Sequence, residues 1–177
     1  MAKHSCIKNR INVSLRLLLL VGTLLVCIAA KSQTITVVGT DWSPVVPTII
    51  EAGSDYAGTY ESTSTQMSLN LTVPLLLGTG KISVRYEPNP TWNNALKIDV
   101  RKLNNGSGLC VLCSMTPNQA TPYQEVLTND TELFRVVAVL SLAEVTNIGL
   151  NLRVRGVSVT TPVDNYTARI VFTIGPQ

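Results

Sequence analysis

Two cysteines three residues apart, Cys110-Val-Leu-Cys113, are the pair whose type and spacing could do chemistry. In an extended strand, at about 3.3 Å per residue, they would sit about 10 Å apart. A disulfide needs Cα atoms closer than about 7 Å. An oxidised pair therefore requires a turn, which Gly106, Gly108 and Pro117 nearby can supply. In an oxidising compartment such a pair reads as a loop-bracing disulfide. A redox-active pair asks for a helix N-terminus to lower the thiol pKa, and no helical pattern follows. A metal held by cysteine alone asks for a second pair, and none lies downstream. Free thiols and an inter-chain bond complete the alternatives.

Other catalytic sets are harder to assemble. The single histidine, His4, sits in the leader described below, which removes Ser-His-Asp and Cys-His arrangements from the secreted part. Glycosidase chemistry needs two carboxylates across a cleft, and the acids here are scattered. Asp99, between Lys97 and Arg101, reads as a solvated cross-strand partner. Asp130 and Glu132 fall short of the six or more oxygens that calcium wants. No phosphate-cradling loop and no basic-aromatic stripe is present. The expectation is no enzyme, no catalytic residue, no metal and no cofactor. Trp42, Trp92 and Tyr123, with Tyr56 and Tyr60, are the candidate platform for a carbohydrate or another polymer, although Trp92 reads first as a packing anchor. Asn70, Asn105, Asn129 and Asn165 each head an Asn-x-Ser/Thr triplet, read as a by-product of a Thr- and Asn-rich β chain.

The elements that must position these residues begin after residue 32. Lys3, Lys8, Arg10 and Arg16 form a basic front, residues 17–30 an apolar run, and Ala30-Lys31-Ser32 a small-residue exit. These are the parts of a secretory signal peptide, helical and cleaved before Gln33. The run is short of the about 20 apolar residues of a membrane span. A lipoprotein reading on Cys27 meets the bulky Val26 before it. The leader takes five of the 14 Lys+Arg and none of the 11 acids, so the remainder carries a net charge of −2. The chain's basic balance belongs to the targeting segment and argues for no nucleic-acid partner. The expected location is secreted, periplasmic or at the cell surface, without a stable membrane span after cleavage.

Residues 33–177 read as one β domain. Apolar and polar residues alternate over 66–73, 81–87, 95–103, 134–140, 148–154 and 168–174, the pattern of strands with one buried face. Pro44 and Pro47 leave residues 48–51 as a short edge strand at most. Residues 78–80, Gly-Thr-Gly, read as a turn, and residues 104–129 as a long irregular stretch that is either functional or carries small structure of its own. Apolar positions switch from even to odd after Gly156, which predicts a β-bulge or sharp bend around residues 155–157. Residues 33–39 form a weak first strand or a free arm. The expected fold is all-β: an antiparallel two-sheet sandwich, Ig-like or Greek key, of seven to eight strands.

The runs Ile82-Ser83-Val84-Arg85 and Ile98-Asp99-Val100-Arg101, with Trp92, Gly106-Ser107-Gly108, Gly156-Val157-Ser158-Val159 and the close Asn165-Tyr166-Thr167-Ala168-Arg169-Ile170-Val171-Phe172-Thr173-Ile174, resemble exported bacterial β-sandwich proteins. The ending is similar to that of spore-coat-U-type and related pilin-like domains. Those domains use an early cysteine staple that this chain lacks, and Cys110 and Cys113 have no counterpart in them. The resemblance implies a fold and a location more than an activity. The functional expectation is a cell-surface structural, fibre-like or adhesive subunit. Its candidate donor strand is Thr34, Ile35, Thr36, Val37 and Val38, and its partners are copies of itself or other surface proteins. The alternative is a secreted carbohydrate- or polymer-binding module.

Overall fold

In the computed structural model, residues 33–73, 78–109, 112–138 and 143–175 are described, and all of their regular structure is strand. The strands are β1 (Thr34–Gly39), β2 (Thr59–Glu61), β3 (Met67–Val73), β4 (Gly78–Pro88), β5 (Lys97–Lys102), β6 (Ser107–Leu109), β7 (Cys113–Thr116), β8 (Gln124–Glu125), β9 (Thr131–Ala138), β10 (Ala143–Arg155) and β11 (Ala168–Gly175). Alternation decides which side each strand buries. In β3, Leu69, Leu71 and Val73 are buried while Ser68, Asn70 and Thr72 are half-exposed. Each such apolar side chain contributes roughly 1.5–3 kcal/mol when fully buried.

Every strand pairing among the described residues is antiparallel. The first sheet runs β1-β3-β10-β5-β8, with β2 and β6 also on β10; the second runs β11-β4-β9-β7. Leu69, Val100, Ile148 and Leu150 from the first sheet and Ile82, Val84, Phe134 and Val136 from the second share one core, the layered arrangement of a β-sandwich. Thirteen-residue β10 is the common element. One flank carries β3 and then β2; the other carries β6 and then β5.

Two bulges explain burial that simple alternation misses. Between Val145 and Ile148 one extra residue enters β10, Asn147 takes φ 58°, and its N–H donates to Asn70 Oδ1 at 2.9 Å. Ala143 and Val145 before the bulge and Ile148, Leu150 and Leu152 after it can then all face the core. A second shift, opposite Ile82 and Ser83, lets consecutive Leu133 and Phe134 both be buried. At residues 155–157, β10 ends and Gly156 bends the chain at φ +87°, with its Cα pressed so near Ala95 O that a Cβ would lie 2.2 Å away.

Several expectations are corrected. Eleven strands are present among the described residues rather than seven or eight. The surplus comes from β2, β6, β7 and β8, of two to four residues each, too short to show a period. Three of them lie within 104–129, which carries small structure of its own. Residues 78–80 are the start of β4, paired to β9 from Gly78 opposite Ala138, rather than a turn. Residues 48–51 form no strand.

Candidate functional site

The densest polar cluster lies on the outer face of the first sheet, where odd positions of β5 and β10 meet. Asp99 is opposite Arg153 in register, and Lys97 is opposite Arg155. The Arg153 and Arg155 Nε groups donate to Asp99 Oδ2 at 2.7 and 2.6 Å, and Arg155 Nη2 donates to Oδ1 at 2.9 Å. Asp99 is only 1% exposed, so the solvated partner expected from the sequence is instead a buried hub. The two guanidiniums lie against its carboxylate, and the arginine side chains keep part of their surface in water. Burial pushes the Asp99 carboxyl up, but the hydrogen bonds and charges of Arg155 and Arg153 together outweigh it and hold the group below its ordinary value.

The cluster extends on both sides. Arg155 Nη2 also reaches Glu125 on β8 at 3.0 Å, and Lys97 lies 3.8 Å from the same carboxylate. Arg101 donates to Asn151 Oδ1 at 3.2 Å and stands 4.0 Å from Glu61 on β2. Two guanidiniums lie over the Tyr123 ring, that of Arg101 4.5 Å and that of Arg153 4.0 Å from its centre. Its phenol pKa is raised first by burial and then by the neighbouring Glu61 carboxylate. Because Asp99 stays ionised and each carboxylate here faces a cation, the cluster can hold charge and orient the 123–125 segment.

Among the described residues, no ring contact joins two of the aromatic candidates. Trp42 and Trp92 are half-buried against the core, and Trp92 stacks obliquely on Tyr86 with centroids 5.9 Å apart. Tyr123 lies under the two guanidiniums on the first sheet. Each ring is engaged within the chain. Asp130 pairs with Arg85 and Glu132 with Arg135 on the second sheet.

Cys113 opens β7, half-buried and opposite Ala138. Leu112 before it adopts φ 56°, the left-handed turn conformation. Cys110 lies outside the described residues, as does the leader proposed for residues 1–32. Among the described residues, no helix is long and apolar enough to cross a membrane.

Residues 34–38 lie in β1, which is docked in register on β3 from Thr34 opposite Thr72 to Gly39 opposite Met67. It is the end strand of its sheet, with Val37 and Val38 still 47% and 44% exposed. Residues 40–58, which follow, contain no strand and leave Val45 and Ile50 almost fully exposed.

One functional group went unnoticed in the sequence. Lys102 continues the even, core-facing series of Ile98 and Val100 and is 0% exposed. Its Nζ donates to Pro117 O at 2.8 Å and to Asn105 Oδ1, lies 3.6 Å from Met115 Sδ, and stands 5.6 Å from the centre of the Phe134 ring. None of the ion pairs among the described residues includes it. Its parity was the available signal: a lysine at the inward position of a strand has to be held by something.

No family model, curated protein or solved structure matches the chain.

Proposed function

We infer that this is an exported, non-enzymatic β-sandwich, Ig-like in its layering, that acts as a cell-surface structural or adhesive subunit. The observation that carries the reading is β1. It is an exposed edge strand, paired as a strand with β3 alone, with Ile35 packed on the core and β11 alongside, and joined to the rest by residues 40–58, which contain no strand. An edge of this kind is a template for another chain, and a strand on so long a tether can leave β3 of its own copy for β3 of the next. The basic-apolar leader supports export, and the alternating close at 168–174 supports the pilin-like resemblance. Disulfide bonding of Cys113 and the left-handed turn at Leu112 support a small ring with Cys110, as an oxidising compartment would allow. The polymer-binding alternative draws no comparable support, since its aromatic candidates are engaged separately.

The test compares residues 33–177 with residues 45–177 by light scattering over a range of concentrations, with and without a synthetic peptide of residues 33–44. The expected result is concentration-dependent self-association of the longer form. The shorter form should take up the peptide and melt at a higher temperature when it does. Monomers at every concentration, together with no uptake of the peptide, would end the proposal.

A further inference from the structure

Lys102 is a buried amine placed against a side-chain amide. Its Nζ touches Oδ1 of Asn105, three residues on, and the amide carbon Cγ is one bond beyond that contact. The other end of the amide is held as well: Asn105 Nδ2 donates to Asn118 Oδ1 at 2.7 Å and faces Asn118 O at 3.4 Å. The amide is thus fixed between an amine on its oxygen side and two acceptors on its nitrogen side. Neighbours of the amine are neutral: the Pro117 carbonyl, the Met115 thioether and the Phe134 ring.

We propose that Lys102 and Asn105 form an intramolecular amide cross-link. Lys102 Nζ, as the free amine, attacks Asn105 Cγ. The new C–N bond forms as the Cγ–Nδ2 bond breaks, and nitrogen leaves as ammonia, carrying the proton lost by Nζ. Nothing is oxidised or reduced, and no co-reactant is consumed.

Three features favour the step. Proximity makes it intramolecular, which replaces the entropy of bringing two reactants together. Burial away from any carboxylate favours the uncharged amine, which is the nucleophile. By accepting from Nδ2, Asn118 holds the amide in one orientation toward the amine, and the proton the departing nitrogen takes up comes from Nζ. The product would tie the end of β5 to the turn before β6, a turn that Asn104 already braces by accepting the Gly106 and Gly149 N–H groups at 2.9 and 3.1 Å. It would also consume the nitrogen of the Asn105-Gly106-Ser107 triplet, so cross-linking and glycosylation there exclude each other.

The experiment is tryptic peptide mapping of residues 33–177 by tandem mass spectrometry, beside Lys102→Arg and Asn105→Ala. The expected product is a peptide uncut after Lys102, lighter than its sequence mass by one ammonia, with no backbone fragments between positions 102 and 105. Asn105→Ala should restore full mass and cleavage after Lys102; Lys102→Arg should restore full mass. Two wild-type results would overturn the proposal: the unmodified mass, or an ammonia loss in a peptide that trypsin still cuts after Lys102, which marks an imide at Asn105-Gly106. Both are read on the wild-type chain and do not depend on a variant folding.

Discussion

Asp99 and Lys102 lie on one short strand, three residues apart, on opposite faces of it, and each brings a charge out of water. Asp99 is compensated by two guanidiniums, and removing its charge leaves both without their shared partner. Asp99→Asn should therefore cost about 3 kcal/mol in urea denaturation. The pH dependence has a definite sign. The folded carboxyl titrates below its ordinary value of 3.8, so its contribution is fully present above that value and is lost as pH falls through the lower, folded one. Acid denaturation curves should be shallower in Asp99→Asn. They should not become flat, because Asp55 and Glu87 are also held below their ordinary values, Asp55 by backbone hydrogen bonds from Val159 and Tyr56 and Glu87 by Arg85 and Arg169. Lys102 has the opposite consequence. Burial holds its ammonium below the ordinary 10.5, so the unfolded chain binds the extra proton and stability rises with pH just below that value. Asn105→Ala, which keeps the amine free, should show this rise in alkaline melts. The sequence carried part of this. It marked Asp99 as a cross-strand partner, but its burial against two guanidiniums depends on β5 lying between β10 and β8, which no local pattern records.

At the scale of elements, long strands were readable and short ones were not. Runs such as 66–73 and 81–87 have enough residues for a period of two to declare itself. By contrast, β6 and β8 exist only because β10 and β5 offer them a flank. Bulges set a further limit. The parity change at Gly156 was visible as a bend, whereas the one at Asn147 hid the continuity of Ala143 and Val145 with the rest of β10. Both sites are testable. Gly156→Ala puts a Cβ against a backbone oxygen at a positive φ and should cost about 1–3 kcal/mol. Leu150→Ala, fully buried where β10 lies between Met67 of β3 and Lys102 of β5, should cost about 2–5 kcal/mol. Thermal melts of the two variants, compared with an exposed control such as Val163→Ala, read both.

For the molecule as a whole, the first sheet ends in two-residue β8 on one side and in six-residue β1 on the other, and β1 is the margin open to another chain. A charge on that margin should discourage pairing with another chain. Val37→Lys should reduce self-association in light scattering while leaving the melting temperature nearly unchanged, since Val37 is already half in water. The opposite extreme is β10, clasped on both flanks across most of its length. It acts as a keel. Amide hydrogens at Leu150, Leu152 and Val154 can meet solvent deuterium only when the whole domain opens, so their exchange rates measure its full unfolding free energy. Those of β1 measure the release of six residues. The gap between the two sets of rates gives, in one experiment on the intact chain, how far the margin can peel while the hull stays closed.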